Sequence, residues 1–277
     1  MVKQVRRVLL LFAAVVMLSA GLPAPAAQAA KLASGFQKEN GVIYYYTGTN
    51  HQRYEKTGWA KIDGKKYYFR GDYTAATGLQ KIGKNTYLFS GTGEMLTGEQ
   101  KSGGSTYYLA VDGAVEGSRR GKKYFKADGT AMDKEETYEF ETYLRAKKQV
   151  EKLVNDRMSE KKKLKKCFKW VLKRPYITKR KFTTKKGWIP LYANDHFRGA
   201  GGTCMADASA FAYMAKALGY KDVYVCMNKV KKGGHAWTEI KGRAYDPRFA
   251  KSRSFKKNYG VTYKVFCMKP RYRWKIA

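Results

Sequence analysis

Three side chains in the C-terminal half have the types needed for acyl transfer: Cys204, His235 and Asp246. A cysteine supplies the nucleophile, a histidine takes its proton, and a carboxylate orients the imidazole. Cys204 closes the stretch Gly199-Ala-Gly-Gly-Thr-Cys204 and opens an Ala-rich run that reaches Leu218 and Gly219. Flexible glycines followed by a helix former predict that Cys204 sits at a helix N-terminus, with Thr203 as N-cap and Gly219 as C-terminal stop. Unpaired N–H groups and the helix dipole there favour a thiolate and could hold an oxyanion.

The other two residues need a hairpin. A β-branched strand, Asp222-Val-Tyr-Val-Cys-Met227, precedes Gly234-His-Ala-Trp-Thr-Glu-Ile240, whose alternation puts His235, Trp237 and Glu239 on one face. Gly242 turns the chain towards Ala244-Tyr-Asp246-Pro247. With Lys241 and Gly242 as the loop, Ile240 pairs with Arg243, and Asp246 becomes the diagonal same-face neighbour of His235. A one-residue slip would separate them, so the triad depends on this register. Singly, each residue has a plainer role: a small core cysteine, a structural histidine, an aspartate in a turn. Their joint arrangement is what points to a nucleophile, a base and an orienter. On the proposed helix, Met205, Ala208, Phe211, Ala215 and Leu218 form one apolar face. Upstream, Phe140, Tyr143, Leu144, Val150, Val154 and Met158, then Leu164, Cys167, Phe168 and Val171, follow helical steps until Pro175.

These elements resemble the transglutaminase-like superfamily, whose papain-like core holds Cys, His and Asp in this order. The matching pieces are Gly202-Thr-Cys204, Ala217-Leu-Gly-Tyr220, Gly234-His-Ala-Trp237, Tyr245-Asp-Pro247 and the helix ending in Phe168-Lys-Trp-Val-Leu-Lys173, within about residues 150–250. The resemblance implies an α+β papain-like catalytic domain in which Cys204 forms an acyl-thioester with an amide or peptide substrate, His235 deprotonates the thiol and Asp246 holds the imidazole. It also implies a side-chain oxyanion donor upstream, for which Trp188, Asn194 and His196 are candidates. Water would resolve the thioester in a peptidase, amidase or deamidase, and an amine in a cross-linking transamidase. No cofactor is implied, and a zinc site is disfavoured because Cys204, Cys226 and His235 lack any Cys-x-x-Cys spacing. One disulfide among Cys167, Cys226 and Cys267 is open to an exported chain, with no spacing that selects it.

Residues 41–133 are of a different kind. Gly58-Trp-Ala-Lys-Ile-Asp-Gly-Lys-Lys-Tyr-Tyr-Phe69, Gly78-Leu-Gln-Lys-Ile-Gly-Lys-Asn-Thr-Tyr-Leu-Phe89 and Gly98-Glu-Gln-Lys-Ser-Gly-Gly-Ser-Thr-Tyr-Tyr-Leu109 recur at a twenty-residue step, with partial copies from Gly41 and Gly121. Such a period predicts stacked β-hairpins, an all-β hairpin solenoid that forms a rod. The repeats resemble the cell-wall-binding modules of Gram-positive surface proteins, of the choline- and glucan-binding type. That resemblance implies attachment to a wall polymer or polysaccharide through aromatic cages, with Trp59, Tyr67, Tyr68, Tyr87, Tyr107 and Tyr108 as candidate walls or packing rungs. Only the first full unit keeps a tryptophan; Leu79 and Glu99 replace it in the next two.

The chain has 277 residues, 44% hydrophobic and 14% aromatic, enough for two modest folded domains. Its formal net charge is +34, unevenly spread: residues 31–133 carry 16 basic and 10 acidic side chains, residues 134–277 carry 37 and 12. The run Lys161-Lys-Lys-Leu-Lys-Lys166 comes without base-reading motifs, so attraction to anionic wall polymers is expected and nucleic acid is not. Lys3, Arg6 and Arg7, an apolar run from Val8 to Leu22, and Ala27-Gln-Ala29 predict a signal peptide over 1–29, followed by a linker over 30–40. The expectation is a secreted, wall-associated cysteine hydrolase or acyltransferase with a protein or peptide substrate and no stable membrane insertion after signal cleavage. A catalytically silent scaffold that works through its repeats is the alternative, and a wall-lytic cysteine amidase is a third class.

Overall fold

The computed structural model describes residues 34–48, 52–178, 180–230 and 233–276. The expected signal peptide lies outside the described residues. Strands β1 (Gly35–Glu39), β2 (Val42–Thr47) and β3 (Gln52–Arg53) form one antiparallel sheet, so β1 occupies part of the stretch expected to be a linker. Two hairpins follow, β4 (Gly58–Ile62) with β5 (Lys65–Phe69) and β6 (Gly78–Ile82) with β7 (Asn85–Phe89). Strands β8 (Gly98–Ser102), β9 (Ser105–Leu109), β10 (Val115–Arg120) and β11 (Lys123–Lys126) join in a four-stranded sheet. Asp63 and Gly64 both have positive φ, the requirement of a two-residue turn whose twist matches its strands. Successive units are tied by the backbone: Ala75 N–H donates to Ile43 O (2.7 Å) and Met95 N–H to Lys66 O (2.8 Å). The hairpins stack as the period requires.

At Asp133 the chain turns into helix α1 (Lys134–Glu151). Its start is a capping box, in which the Asp133 carboxylate accepts from Glu136 N–H and the Glu136 carboxylate accepts from Asp133 N–H. The apolar spacing predicted helix as far as Met158, but α1 ends at Glu151 and Ser159 caps a separate helix, α2 (Glu160–Leu172). Helix α1 also lids the last repeat sheet. Phe140 lies edge-on to Tyr108 and Tyr124, Tyr143 Oη donates to Glu116 (2.5 Å), and Lys147 Nζ donates to Leu109 O (2.7 Å).

Helix α3 (Trp188–Phe197) leads through the glycine loop to α4 (Cys204–Ala217). Every residue of α4 except Lys216 is buried, so the helix is a central post and not the one-faced helix that its apolar spacing suggests. Its alanines leave room for α1, α2 and α3 around it. The fourth side is an antiparallel sheet in the order β15-β14-β13-β12-β16. Its strands are β12 (Val223–Met227), β13 (Ala236–Ile240), β14 (Arg243–Tyr245), β15 (Tyr259–Val261) and β16 (Tyr272–Lys275), with helix α5 (Pro247–Ser252) between β14 and β15. Val223, Val225, Met227, Ala236 and Ile240 join the core around α4, and Thr238 Oγ1 donates to Ala208 O (2.8 Å). The result is a β-hairpin repeat region followed by an α+β region. Among the described residues no helix is long and apolar enough to cross a membrane.

Candidate active site

Lys241 and Gly242 both have positive φ and form the two-residue loop, and Ile240 pairs with Arg243, Glu239 with Ala244 and Thr238 with Tyr245. This is the register on which the triad depends. Asp246 follows the strand as the N-cap of α5, fully buried, and its two oxygens have separate tasks. Oδ1 accepts from Phe249 N–H (2.9 Å), while Oδ2 lies 2.6 Å from His235 Nε2. The carboxylate is thus fixed by a helix end before it meets the imidazole.

His235 precedes β13 and is held on three sides. Its N–H donates to Asn228 Oδ1 (2.8 Å), and its ring stacks on Phe249 at 4.1 Å with 9° between planes. Burial opposes the charged ring, but hydrogen bonds to the Asp246 carboxylate and to Cys204 outweigh it and lift His235 to about 9. Nε2 is taken by Asp246, which leaves Nδ1 as the ring nitrogen free for Cys204. Cys204, His235 and Asp246 therefore meet.

Cys204 is the first residue of α4 and is 8% exposed. Thr203 makes no side-chain cap, and the first helical bond runs from Asp207 N–H to Thr203 O (3.0 Å). The N–H groups of the first turn stay available for an oxyanion. The loop before it is held by a parallel bridge, with Gly202 N–H donating to Pro175 O (3.0 Å) and Ile177 N–H to Gly202 O (3.1 Å). A Cβ on Gly202 would stand 2.3 Å from Ala206 Cβ, so only glycine lets the loop close on the helix.

The upstream candidates fall apart by place. Asn194 faces α1, where Nδ2 donates to Thr142 Oγ1 (2.7 Å) and Oδ1 accepts from Arg145 (3.2 Å). Trp188 is buried edge-on to Trp274 at 5.1 Å. His196 lies behind Gly202, its Nε2 paired with Asp207 Oδ1 (2.6 Å) one turn beyond Cys204. Burial raises the Asp207 pKa, and the hydrogen bond to His196 works against that rise. Sequence reasoning missed this buried pair, although Asp207 at i+3 from Cys204 shares its helix face. It also missed Phe249, three residues past Asp246 on α5, and Tyr176, which reaches the site from a separate segment.

All four cysteines are free: Cys167, Cys204 and Cys226 are buried and Cys267 is exposed. Burial pushes the Cys167 and Cys226 thiols up to about 12, which marks them as inert core residues. Among the described residues no group of three or more His, Cys, Asp or Glu could hold a metal ion.

In the repeats, Trp59 is 45% exposed and stands edge-to-face with Tyr87 (4.9 Å) and Tyr68 (5.3 Å). Trp59, Tyr87 and Met95 line one recess together with Lys61, Lys66 and Asp112, whose carboxylate accepts from Ala114 N–H (3.2 Å) and faces Lys221 (3.7 Å). Tyr107 lines the next recess with Leu79. Tyr67 and Tyr108 are buried rungs, Tyr67 stacked on Phe36 at 4.3 Å and Tyr108 packed against Phe140 at 5.6 Å, and Tyr108 also lines a recess together with Tyr124 and Glu141.

Comparisons with known proteins bear on this region. Residues 57–72 match the putative cell wall binding repeat and residues 76–119 the choline-binding repeat. CbpJ from Streptococcus pneumoniae TIGR4 is 27% identical over 36% of this chain and 36% of its own, with a TM-score of 0.29. Choline binding protein F from Streptococcus pneumoniae, solved in the presence of a peptidoglycan analogue, is 28% identical over 36% of this chain and 34% of its own, with a TM-score of 0.29. The pneumococcal cell wall endolysin from phage Cp-1, complexed with choline, is 27% identical over 36% of this chain and 31% of its own, with a TM-score of 0.26. The chain thus spans about a third of the length of these structures. No curated protein matches it. The N-terminal region is built of choline-binding cell-wall repeats, the mark of a wall-associated surface protein, and the α+β region that follows them has no family assigned.

Proposed function

We propose that the protein is a cell-wall-associated cysteine enzyme that cleaves or transfers acyl groups at amide or peptide bonds through a thioester on Cys204. The observation that carries this reading is the convergence of Cys204, His235 and Asp246 at the uncapped N-terminus of a buried helix. His235 takes the thiol proton as the sulfur attacks and, with its hold on that proton strengthened by the hydrogen bond to Asp246, keeps it through this step. Attack on the carbonyl carbon moves its π electrons to oxygen, where first-turn N–H groups of α4 receive the charge. The C–N bond then breaks as His235 gives its proton to the departing nitrogen. The thioester is resolved by water or an amine, which returns a proton to His235 as Cys204 leaves.

The repeats serve as the wall anchor. Trp59 and Tyr87 offer aromatic walls to a quaternary ammonium such as the choline of a wall polymer. Leu79 and Glu99 at the equivalent positions leave this recess as the one with a tryptophan wall among the three full repeats.

Trapping tests the enzyme reading. Wall peptides and protein amides incubated with the protein and quenched in acid should leave an acyl adduct on Cys204, visible as added mass and released by hydroxylamine. Absence of any adduct in wild type and in Cys204→Ala alike, across peptide and carboxamide donors, would refute it.

A further inference from the structure

Two residues outside the triad stand beside it. The bridge between residues 175–177 and 202 pins Tyr176 beside the loop that delivers Cys204, and Tyr176 remains 48% exposed. Arg248 follows Asp246 by two residues on α5, and its guanidinium lies over the Tyr176 ring at 3.9 Å. The pair therefore joins the nucleophile's loop to the orienter's helix. Tyr176 lies within electrostatic range of Cys204 and Asp207, and Asp207 within range of Arg248.

The Arg248 head group is half-buried, and among the described residues it meets no carboxylate or carbonyl. Stacking occupies the face of a guanidinium and leaves its in-plane N–H fork free, the arrangement that receives a carboxylate with two parallel hydrogen bonds. A second arginine of the same segment, Arg253, stacks on the far side of Phe249 at 3.8 Å, and the whole region carries 37 basic against 12 acidic side chains. The region's positive balance favours anionic partners, and Arg248 is a donor held beside the triad.

We infer that Arg248, braced on Tyr176, is the carboxylate-binding residue of this site, so that its amide substrate is an acidic peptide with a carboxylate beside the bond attacked. This inference rests on the proposed thiol chemistry of Cys204 and adds the substrate class.

Two alkylating reagents test it on the full-length protein without a known substrate. Iodoacetate carries the carboxylate and iodoacetamide is its neutral counterpart, and mass spectrometry gives the rate of each at Cys204. The ratio of the two rates, normalised to free cysteine, should fall about tenfold in Arg248→Gln, the loss of one charge-assisted contact. Arg248→Met keeps the stem over Tyr176 and should give the same fall, and Arg248→Lys should recover part of it. Arg253→Gln should change the ratio less than about twofold, since His235 and the general field act equally in all variants. Unchanged iodoacetamide labelling shows in each variant that the cleft is intact. A ratio within twofold of wild type in both neutral variants would overturn the inference, as would an equal fall in Arg253→Gln. Failure of the thiol chemistry itself looks different: Cys204 would then resist both reagents in wild type.

Discussion

Replacing His235 by Gln should remove a pH dependence of stability that the structure assigns to one imidazole. In the folded protein His235 is raised to about 9 from an ordinary 6.5, against the opposing effect of burial, by its hydrogen bonds to Asp246 and Cys204. The ring side chain is 12% exposed and the carboxylate fully buried, so solvent screening removes little of the interaction. A pKa raised on folding means that the folded state binds the proton more tightly than the unfolded chain. The extra stability is therefore complete below about pH 6.5 and disappears as pH climbs through about 9. At 1.36 kcal/mol per pH unit, that interval corresponds to about 3 kcal/mol. Urea unfolding of wild type and His235→Gln at pH 6 and pH 9.5 isolates it, because lysines and tyrosines titrate alike in both proteins. Wild type should lose about 3 kcal/mol more than the variant across this range. Asp246→Asn provides an independent check: asparagine still caps α5 but no longer holds the imidazolium, so its deficit should be largest at pH 6 and shrink at pH 9.5. Parallel pH curves for wild type and His235→Gln would refute the reasoning.

Cys204→Ala should abolish acyl transfer with circular dichroism and melting unchanged. His235→Ala should cost about 10³-fold in kcat/KM and Asp246→Asn less, because the base survives without its orienter; equal losses in well-folded variants would contradict these roles. Trp59→Ala and Tyr87→Ala should each weaken retention on choline-bearing walls by about tenfold, free choline should elute wild type, and Leu79→Trp should tighten binding by furnishing a second wall; a wall pull-down measures all four. Removing residues 41–96 should leave the melting temperature of the α+β region unchanged, whereas removing residues 41–133 should lower it, since the longer deletion uncovers Phe140 and Tyr143; a scanning-calorimetry comparison decides.

Local signals account for what could be read in advance. The twenty-residue step exposed the hairpin stack because every unit repeats the same turn and the same aromatic strand. The site hairpin was readable on one condition, that Lys241 and Gly242 form the loop, and the positive φ at both residues meets it. The dull role foreseen for Asp246, a turn before proline, proved compatible with the sharp one, since capping α5 is how the carboxylate is held. Helix α3 left no signal: Trp188 to Phe197 mixes apolar residues with Asn194, Asp195 and His196, contains Pro190 and is buried on most sides, so it shows no helical stripe. Strand β16 is rich in basic residues and pairs with β12 across almost fifty residues of sequence, a partnership set by the sheet edge and not by its own pattern. The aromatic positions of the repeats illustrate the same limit. Tyr67 and Tyr68 are adjacent and chemically identical, yet one packs beneath Phe36 and the other flanks Trp59. Tyr176, Asp207 and Arg248 meet at the cleft from three elements, and no spacing in the chain announces that meeting.

The claim that Cys204 is an activated nucleophile rests most directly on its reactivity. The rate of Cys204 alkylation by iodoacetamide, followed by mass spectrometry from pH 5 to pH 10 in wild type and His235→Ala, measures it. The account predicts a wild-type thiol that reacts well below the ordinary range near 8.5 and a variant that loses this low-pH reactivity. A Cys204 that stays inert below that range, or that reacts identically without His235, would contradict it and leave the wall-binding repeats as the protein's working part.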